Sequence, residues 1–138
     1  RGNNVYGPRQ YIDKVIPKFI KQLQSKQKMT IHGIGNSVRN FIYVDDVSRA
    51  IEIIFLKGEI ETTYNIGSDD EFSVNDIAKE LLKRFYPQEN FRDWVKLIKD
   101  RNFNDCRYSV NCDRLKNLGW KKEIDFEDGI QRTIEWYL

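Results

Sequence analysis

Segments with strand-like and helix-like residue patterns alternate along nearly the whole chain. Apolar residues at helical spacing run from Val15 to Leu23, and the short apolar segment Met29–His32 that follows reads as a strand. Further strands are predicted at residues 39–44, 62–66 and 94–98, and further helices at residues 46–57, 73–85, 112–118 and 126–138. Strands separated by helices are typical of the α/β class.

Three sequence features fix where helices begin. Pro17 is compatible with the first helix only in its first turn, which places Lys14 at the start of that helix. Asp45 or Asp46 is predicted to cap the next helix, whose expected inward stripe is Val47, Ala50, Ile51, Ile54 and Phe55. Ser73 and Asp76 have the spacing of a capping box.

Composition excludes several classes of protein. The 138 residues are 40% apolar and 32% charged, which is a globular balance, and no apolar run reaches the roughly 18 residues of a membrane span. A net charge of +2 excludes a basic nucleic-acid-binding surface spread over the whole domain. Cys106 and Cys112, with one histidine, make neither a disulfide scaffold nor a zinc site. We therefore expect a reduced, cytoplasmic protein with no metal.

The first residues suggest a piece of a longer protein. The chain opens at Arg1 without a methionine and enters directly on residues 2–8, which are dense in turn-forming side chains. Because a domain rarely starts inside such a loop, we expect an upstream part that is missing here. We also expect some of the apolar surface to face that part.

The chain alone offers no complete catalytic set. Gly33-Ile-Gly35 lacks the third glycine of a dinucleotide fingerprint and does not open a helix, so a turn is favoured over a cofactor loop. No tyrosine is followed by lysine four residues later, and no Ser-His-Asp arrangement can be built around His32.

Two arginines suggest an anion site. Arg39 follows a polar loop and Arg101 lies in the charged segment 100–108, where a guanidinium would suit a phosphate. The alternative is pairing with neighbouring carboxylates: Asp45 or Asp46 for Arg39, and Asp100 or Asp105 for Arg101. The residues alone do not decide between the two. Asn3 and Asn4 could be turn residues or ligand contacts, and the remaining lysines read as a solvated face.

The motifs, taken in order, resemble a known family. They are Asn3-Asn-Val-Tyr-Gly-Pro8, Lys14-Val-Ile-Pro17, Arg39-Asn-Phe41, Tyr43-Val-Asp-Asp46, Tyr64-Asn-Ile-Gly67, Phe103-Asn-Asp-Cys-Arg-Tyr108 and Leu118-Gly-Trp120. This series is similar to the C-terminal part of nucleoside-diphosphate-glucose 4,6-dehydratases, which are extended short-chain dehydrogenase/reductases. The resemblance covers essentially the whole chain.

The resemblance implies that two parts of a longer enzyme have different roles. Residues 1–138 would form one α/β substrate-binding lobe, and a Rossmann core upstream of Arg1 would hold NAD and the acid/base residues. The implied reaction oxidises glucose at C4, removes water across C5–C6 and returns the hydride to C6. The product would be the 4-keto-6-deoxy sugar nucleotide, as in rhamnose-type biosynthesis, and the enzyme is expected to be a homodimer. This chain alone is expected to be inactive.

Site residues follow from the same resemblance, position by position. The substrate-contacting positions would be Asn3, Lys14, Val15, Thr30, Ile31, His32, Arg39, Arg101 and Asn104, and Asn4 would lie near the cofactor. Arg39 would bind the diphosphate, Lys14 and Val15 the nucleotide end, and residues 30–32 would flank the base. Two other readings stay open: a sugar-nucleotide 4-epimerase, and a non-catalytic nucleotide-binding module. The residues do not distinguish uracil from thymine.

Overall fold

The computed structural model describes residues 1–100 and 110–138. Within these two ranges, the helices and strands follow one another as β1 Asn4–Tyr6, α1 Val15–Gln24, β2 Met29–His32, β3 Val38–Tyr43, α2 Val44–Lys57, β4 Glu71–Ser73, α3 Val74–Phe85, the 3-10 helix Phe91–Trp94, β5 Val95–Ile98, α4 Asp113–Asn117 and α5 Phe126–Tyr137. The predicted α/β class is confirmed.

The strands form two small sheets. In the first, β3 is central, with β1 parallel on one side and β4 antiparallel on the other. In the second, β2 and β5 pair in parallel, with Met29 opposite Val95. The segment joining β1 to β3 carries α1 and β2, and this brings the second sheet and the start of α1 beside the first sheet.

A large core joins the first sheet to α1, α3 and α5. The apolar stripe of α1 is buried as its spacing predicts, and it packs with the buried face of α3. Aromatic rings cover the sheet on this side: Tyr6 meets Tyr43 edge-on at 5.5 Å between centroids, and Phe72 stacks on Phe126 at 3.9 Å. Aromatic pairs of this kind add to the stability gained by burying apolar area.

A second, smaller core lies on the opposite face of β3, around Ile42, Ala50 and Trp120. Here the sequence expectation for α2 is partly wrong. Ala50 is buried and Val47 and Ile54 are half-buried, but Ile51 and Phe55 are 57% and 86% exposed. A helix can turn only part of its circumference to one sheet, so the predicted stripe is wider than the face that α2 buries.

Helix starts and strands show further differences from the expectations. The Ser73–Asp76 capping box is confirmed. Helix α2, however, begins at Val44 after Tyr43, so Asp45 and Asp46 lie in its first turn rather than at its cap. Residues 62–66 do not form a strand, and only Ile66 makes a bridge, with Gly2. Strands β1 and β4 were not predicted, because three residues are too few to show alternation.

Within the part of the chain that the structure describes, no helix is long and apolar enough to cross a membrane.

Candidate functional site

A cleft of about 560 Å³ opens between the first sheet, the start of α1 and strand β2. Seven of the residues singled out from the sequence lie on its wall, together with polar and apolar neighbours. The lining residues are Asn3, Asn4, Val5, Gln10, Asp13, Lys14, Val15, Lys18, Phe19, Thr30, His32, Ser37, Arg39, Phe41 and Val74. The fold thus brings together positions that are up to 36 residues apart in the candidate set.

The charges on the cleft wall favour an anion. Lys14, Lys18 and Arg39 contribute three cations, and Asp13 is the one carboxylate among the described lining residues. A concave surface with an excess of one sign concentrates ligands of the opposite sign. The half-buried apolar side chain of Val15 lines the same space and can cover a flat ring or a sugar face.

The start of α1 adds to this positive character. Lys14 occupies the N-cap position without a side-chain cap, and the first turn holds no acidic residue. Pro17 is buried in that turn, where its missing N–H costs nothing. The N-terminal end of a helix carries a partial positive charge, which negatively charged side chains commonly offset. Here that end is left available to a bound anion.

Strand β2 presents alternate residues to the cleft. Thr30 and His32 line it, whereas Met29 and Ile31 between them are buried in the large core. Gln22 fixes Thr30 in two ways: its Oε1 accepts from the Thr30 N–H and its Nε2 donates to Oγ1, both at 3.2 Å. The Ile31 side chain is fully buried and is not on the cleft wall, so a role for Ile31 would fall to its backbone.

Arg39 lies on β3 at the register position opposite Phe72, and it lines the cleft. Its Nη1 donates to the Val38 carbonyl at 2.7 Å, which holds the guanidinium close to the strand. The carboxylate of Asp46 does not pair with Arg39. That carboxylate is fully buried on α2, pairs with Arg49, and accepts the Glu123 N–H at 2.8 Å.

The two neighbouring asparagines are placed differently. Asn4 is exposed on the cleft and pairs in register with Phe41. Asn3 is two residues before Val5, whose side chain packs against the smaller core. Asn3 is only 8% exposed. Neither amide atom of Asn3 has a hydrogen-bond partner among the described residues, and both atoms are shielded from solvent. Contact between a ligand and this side chain would therefore require it to reorient.

Sequence reasoning missed four polar residues of the cleft: Gln10, Asp13, Lys18 and Ser37. Two hydrogen bonds hold Gln10 in place. Its side-chain Nε2 donates to the Val5 carbonyl at 2.7 Å, and its backbone carbonyl accepts from the Tyr137 hydroxyl at 2.5 Å. Lys18 is one turn after Lys14, and that spacing could have indicated a shared face. Arg101 and Asn104 lie outside the described residues.

The glycine loop before β3 does not fit a dinucleotide. Gly33 and Gly35 have φ of +61° and +75°, as a tight turn requires, and Asn75 Nδ2 donates to the Ile34 carbonyl at 2.8 Å. The loop then enters strand β3, whereas a dinucleotide loop opens a helix whose N-terminus holds the pyrophosphate. No other glycine-rich strand–turn–helix occurs among the described residues. The residues present therefore do not form a cradle for NAD.

The chain is similar to proteins of known name. Residues 1–67 match the NAD dependent epimerase/dehydratase family. The chain is 45% identical over 140 residues to the dTDP-D-glucose 4,6-dehydratase of Mus musculus, covering 99% of this chain and 39% of that protein. It is 44% identical over 139 residues to an Arabidopsis thaliana trifunctional UDP-glucose 4,6-dehydratase/3,5-epimerase/reductase, covering 99% of this chain and 20% of that one.

A solved structure shows the same fold. The dTDP-glucose 4,6-dehydratase from Streptomyces venezuelae, crystallised with NAD bound, aligns with a TM-score of 0.93 at 30% identity, covering 99% of this chain and 42% of that one. The chain therefore has the architecture of part of a Rossmann-type, extended short-chain dehydrogenase/reductase. Within that class it resembles the nucleoside-diphosphate-glucose 4,6-dehydratases, as the motifs indicate, and it spans about two fifths of their length.

Proposed function

We propose that residues 1–138 form the nucleotide-sugar-binding lobe of an NAD-dependent nucleoside-diphosphate-glucose 4,6-dehydratase. The whole enzyme would convert dTDP-glucose or UDP-glucose to the 4-keto-6-deoxy sugar nucleotide. The main support is that the cleft brings together Asn4, Lys14, Thr30, His32 and Arg39 in a chain 45% identical to the dTDP-D-glucose 4,6-dehydratase of Mus musculus.

The roles of the cleft residues follow from their chemistry. Arg39 would hold the diphosphate, because a guanidinium can donate two charge-assisted hydrogen bonds to one phosphate. Lys14 and the uncapped start of α1 would add positive charge nearby, while Val15 covers the nucleotide end. Thr30 and His32, kept in place on β2, would flank the base.

The remaining proposed contacts rest on the sequence resemblance. Arg101 and Asn104 are proposed to contact the ligand from the segment that follows Asp100. Asn3 is proposed to reach the substrate after its side chain reorients, and Ile31 to contribute through its backbone next to Thr30. These assignments remain predictions.

Hydride transfer in the whole enzyme would need NAD, and the Streptomyces venezuelae relative holds NAD in its crystal structure. In this chain Asn4 is the proposed neighbour of that cofactor. Because the described residues lack a phosphate cradle, residues 1–138 alone are expected neither to retain NAD nor to catalyse dehydration. Mass spectrometry that found stoichiometric NAD on the purified 138-residue chain would contradict this expectation.

The reaction can be tested with the full-length protein and two substrates, UDP-glucose and dTDP-glucose. NMR of the products should show a 4-keto-6-deoxy sugar, and comparing the two specificity constants would identify the preferred base. A product with an inverted C4 hydroxyl would instead assign the protein to the epimerases. Tight nucleotide binding without conversion of either substrate would favour a non-catalytic module. The homodimeric state and the cytoplasmic location are also proposals, to be tested by light scattering and by cell fractionation.

A further inference from the structure

The basic residues are distributed unevenly along this nearly neutral chain. Residues 14–44 contain six of the 23 lysines and arginines and none of the 21 aspartates and glutamates. The other 17 basic residues share the rest of the chain with all 21 acidic ones, so the rest carries a formal charge of −4 and residues 14–44 carry +6. This stretch supplies α1, β2 and most of the cleft wall.

Further lysines follow those of the cleft along α1 and the connection to β2. Lys14 and Lys18 line the cleft, and Lys21 follows at the next helical spacing. At 3.6 residues per turn, the three side chains lie within about 60° of one another around the axis of α1, and Lys21 is about 10 Å beyond Lys14. Lys26 and Lys28 lie in the connection to β2, four and two residues before Thr30 of the cleft.

The lysines of this series that lie beyond the cleft are exposed. We call Lys21, Lys26 and Lys28 the outer lysines; all three are exposed and none lines the cleft. Among the described residues, none of the three forms an ion pair. An unpaired surface charge acts at a distance of about one Debye length, roughly 10 Å at 0.1 M salt.

We propose that the outer lysines steer nucleoside diphosphates into the cleft without contacting the bound ligand. The inference rests on the proposed function, since it takes the ligand to carry the diphosphate that Arg39 would bind. A diphosphate has at least two negative charges, and a one-signed surface beside a cleft raises association rates about 10- to 1,000-fold. The outer lysines thus set the association rate of the ligand, and the cleft residues set its dissociation rate.

Stopped-flow fluorescence with a methylanthraniloyl derivative of UDP would test this on the full-length protein. The steering variant is Lys21→Gln/Lys26→Gln/Lys28→Gln, and the matched control is Lys57→Gln/Lys83→Gln/Lys121→Gln, which removes the same charge from exposed lysines outside residues 14–44. The steering variant should lower the association rate about 10-fold at 10 mM salt and about 3-fold at 100 mM, with an unchanged dissociation rate. The control variant should change it less than 2-fold at either salt concentration.

Several outcomes would overturn the steering proposal while leaving the proposed function standing. One is that the wild-type protein binds the probe and the two triple variants have equal association rates. Another is a faster dissociation rate in the steering variant, which would make the outer lysines direct ligand contacts. If the wild-type protein did not bind the probe at all, the proposed function itself would fail. Circular dichroism of both variants confirms that the comparison is between folded proteins.

Discussion

The buried carboxylate of Asp46 pairs with Arg49, one helical turn further along α2. The same carboxylate accepts hydrogen bonds from the backbone N–H groups of Glu123 and Ile124, at 2.8 Å and 3.2 Å. One side chain therefore joins α2 to the segment that precedes α5. The carboxylate of Asp46 thus has partners outside the cleft that Arg39 lines.

Replacing Asp46 should destabilise the fold strongly. In Asp46→Asn, one acceptor becomes a donor that faces backbone N–H groups, and Arg49 loses its charged partner. We expect the free energy of unfolding to fall by about 2–4 kcal/mol. The control is Asp45→Asn, an exposed neighbour in the same helical turn, for which about 0.5 kcal/mol is expected. Urea denaturation measures both; equal losses would show that Asp46 acts only through the helix dipole.

The capping box at the start of α3 makes a pH-dependent contribution to stability. Hydrogen bonds from the Ser73 hydroxyl and N–H lower the pKa of Asp76 below its ordinary 3.8. A carboxyl with a lowered folded-state pKa stabilises the fold above its ordinary pKa, and this stabilisation is lost as pH falls through the folded-state value. Ser73→Ala should therefore cost about 1 kcal/mol at neutral pH, and less below about pH 4.

The matched control for Ser73→Ala is Ser48→Ala on α2. The Ser48 hydroxyl donates to the Val44 carbonyl inside its own helix at 3.1 Å, so its removal should leave stability unchanged or raise it slightly. NMR titration of Asp76 should show the carboxyl pKa returning toward its ordinary value in Ser73→Ala only. A pKa that stayed low in that variant would refute the assigned cause.

The exposed apolar face of α2 predicts self-association of residues 1–138 when they are expressed alone. Ile51, Phe55 and Leu56 of α2 are between 57% and 86% exposed, and Ile60, three residues after the helix, is 93% exposed. Large apolar patches on a protein surface usually mark a contact site or an aggregation hazard. Phe55→Lys should shift the light-scattering mass toward the monomer. Leu97→Lys, at another exposed apolar position, should have little effect, and a strictly monomeric wild-type chain would refute the prediction.

The sequence predicted those elements whose residues have a long periodic signal. The stripe from Val15 to Leu23 and the Ser73–Asp76 spacing each identify a helix because several residues agree. Residues 62–66 are rich in strand-forming side chains, yet only Ile66 finds a strand to bridge, and pairing depends on tertiary contacts that the local sequence does not encode. The same limit explains Ile51 and Phe55, whose exposure depends on how far α2 turns toward the sheet.

The candidate site was predictable chiefly where motif and chemistry agreed. Arg39 and Lys14 were singled out by their motifs and Thr30 by its position in the family resemblance, and the structure gathers all three around one cleft. Lys18 and Asp13 were missed, because a charged residue on or near an amphipathic helix usually belongs to its solvated face. Only the position of α1 against β2 and β3 shows that these two charges lie on the cleft wall.

Calorimetric titration of the full-length protein with UDP and with dTDP tests whether this cleft binds a nucleoside diphosphate through Arg39. Losing a charge-assisted hydrogen bond costs roughly 1.5–3 kcal/mol, so Arg39→Ala should weaken binding about ten- to a hundredfold, with Arg101→Ala expected to do the same. Arg39→Lys should recover only part of the affinity, because an ammonium cannot form the two-pronged contact. The control Arg92→Ala, at an exposed position away from the cleft, should bind as wild type does. If folded Arg39→Ala binds both nucleotides as tightly as the wild-type protein, Arg39 does not hold the diphosphate and the proposed site is wrong.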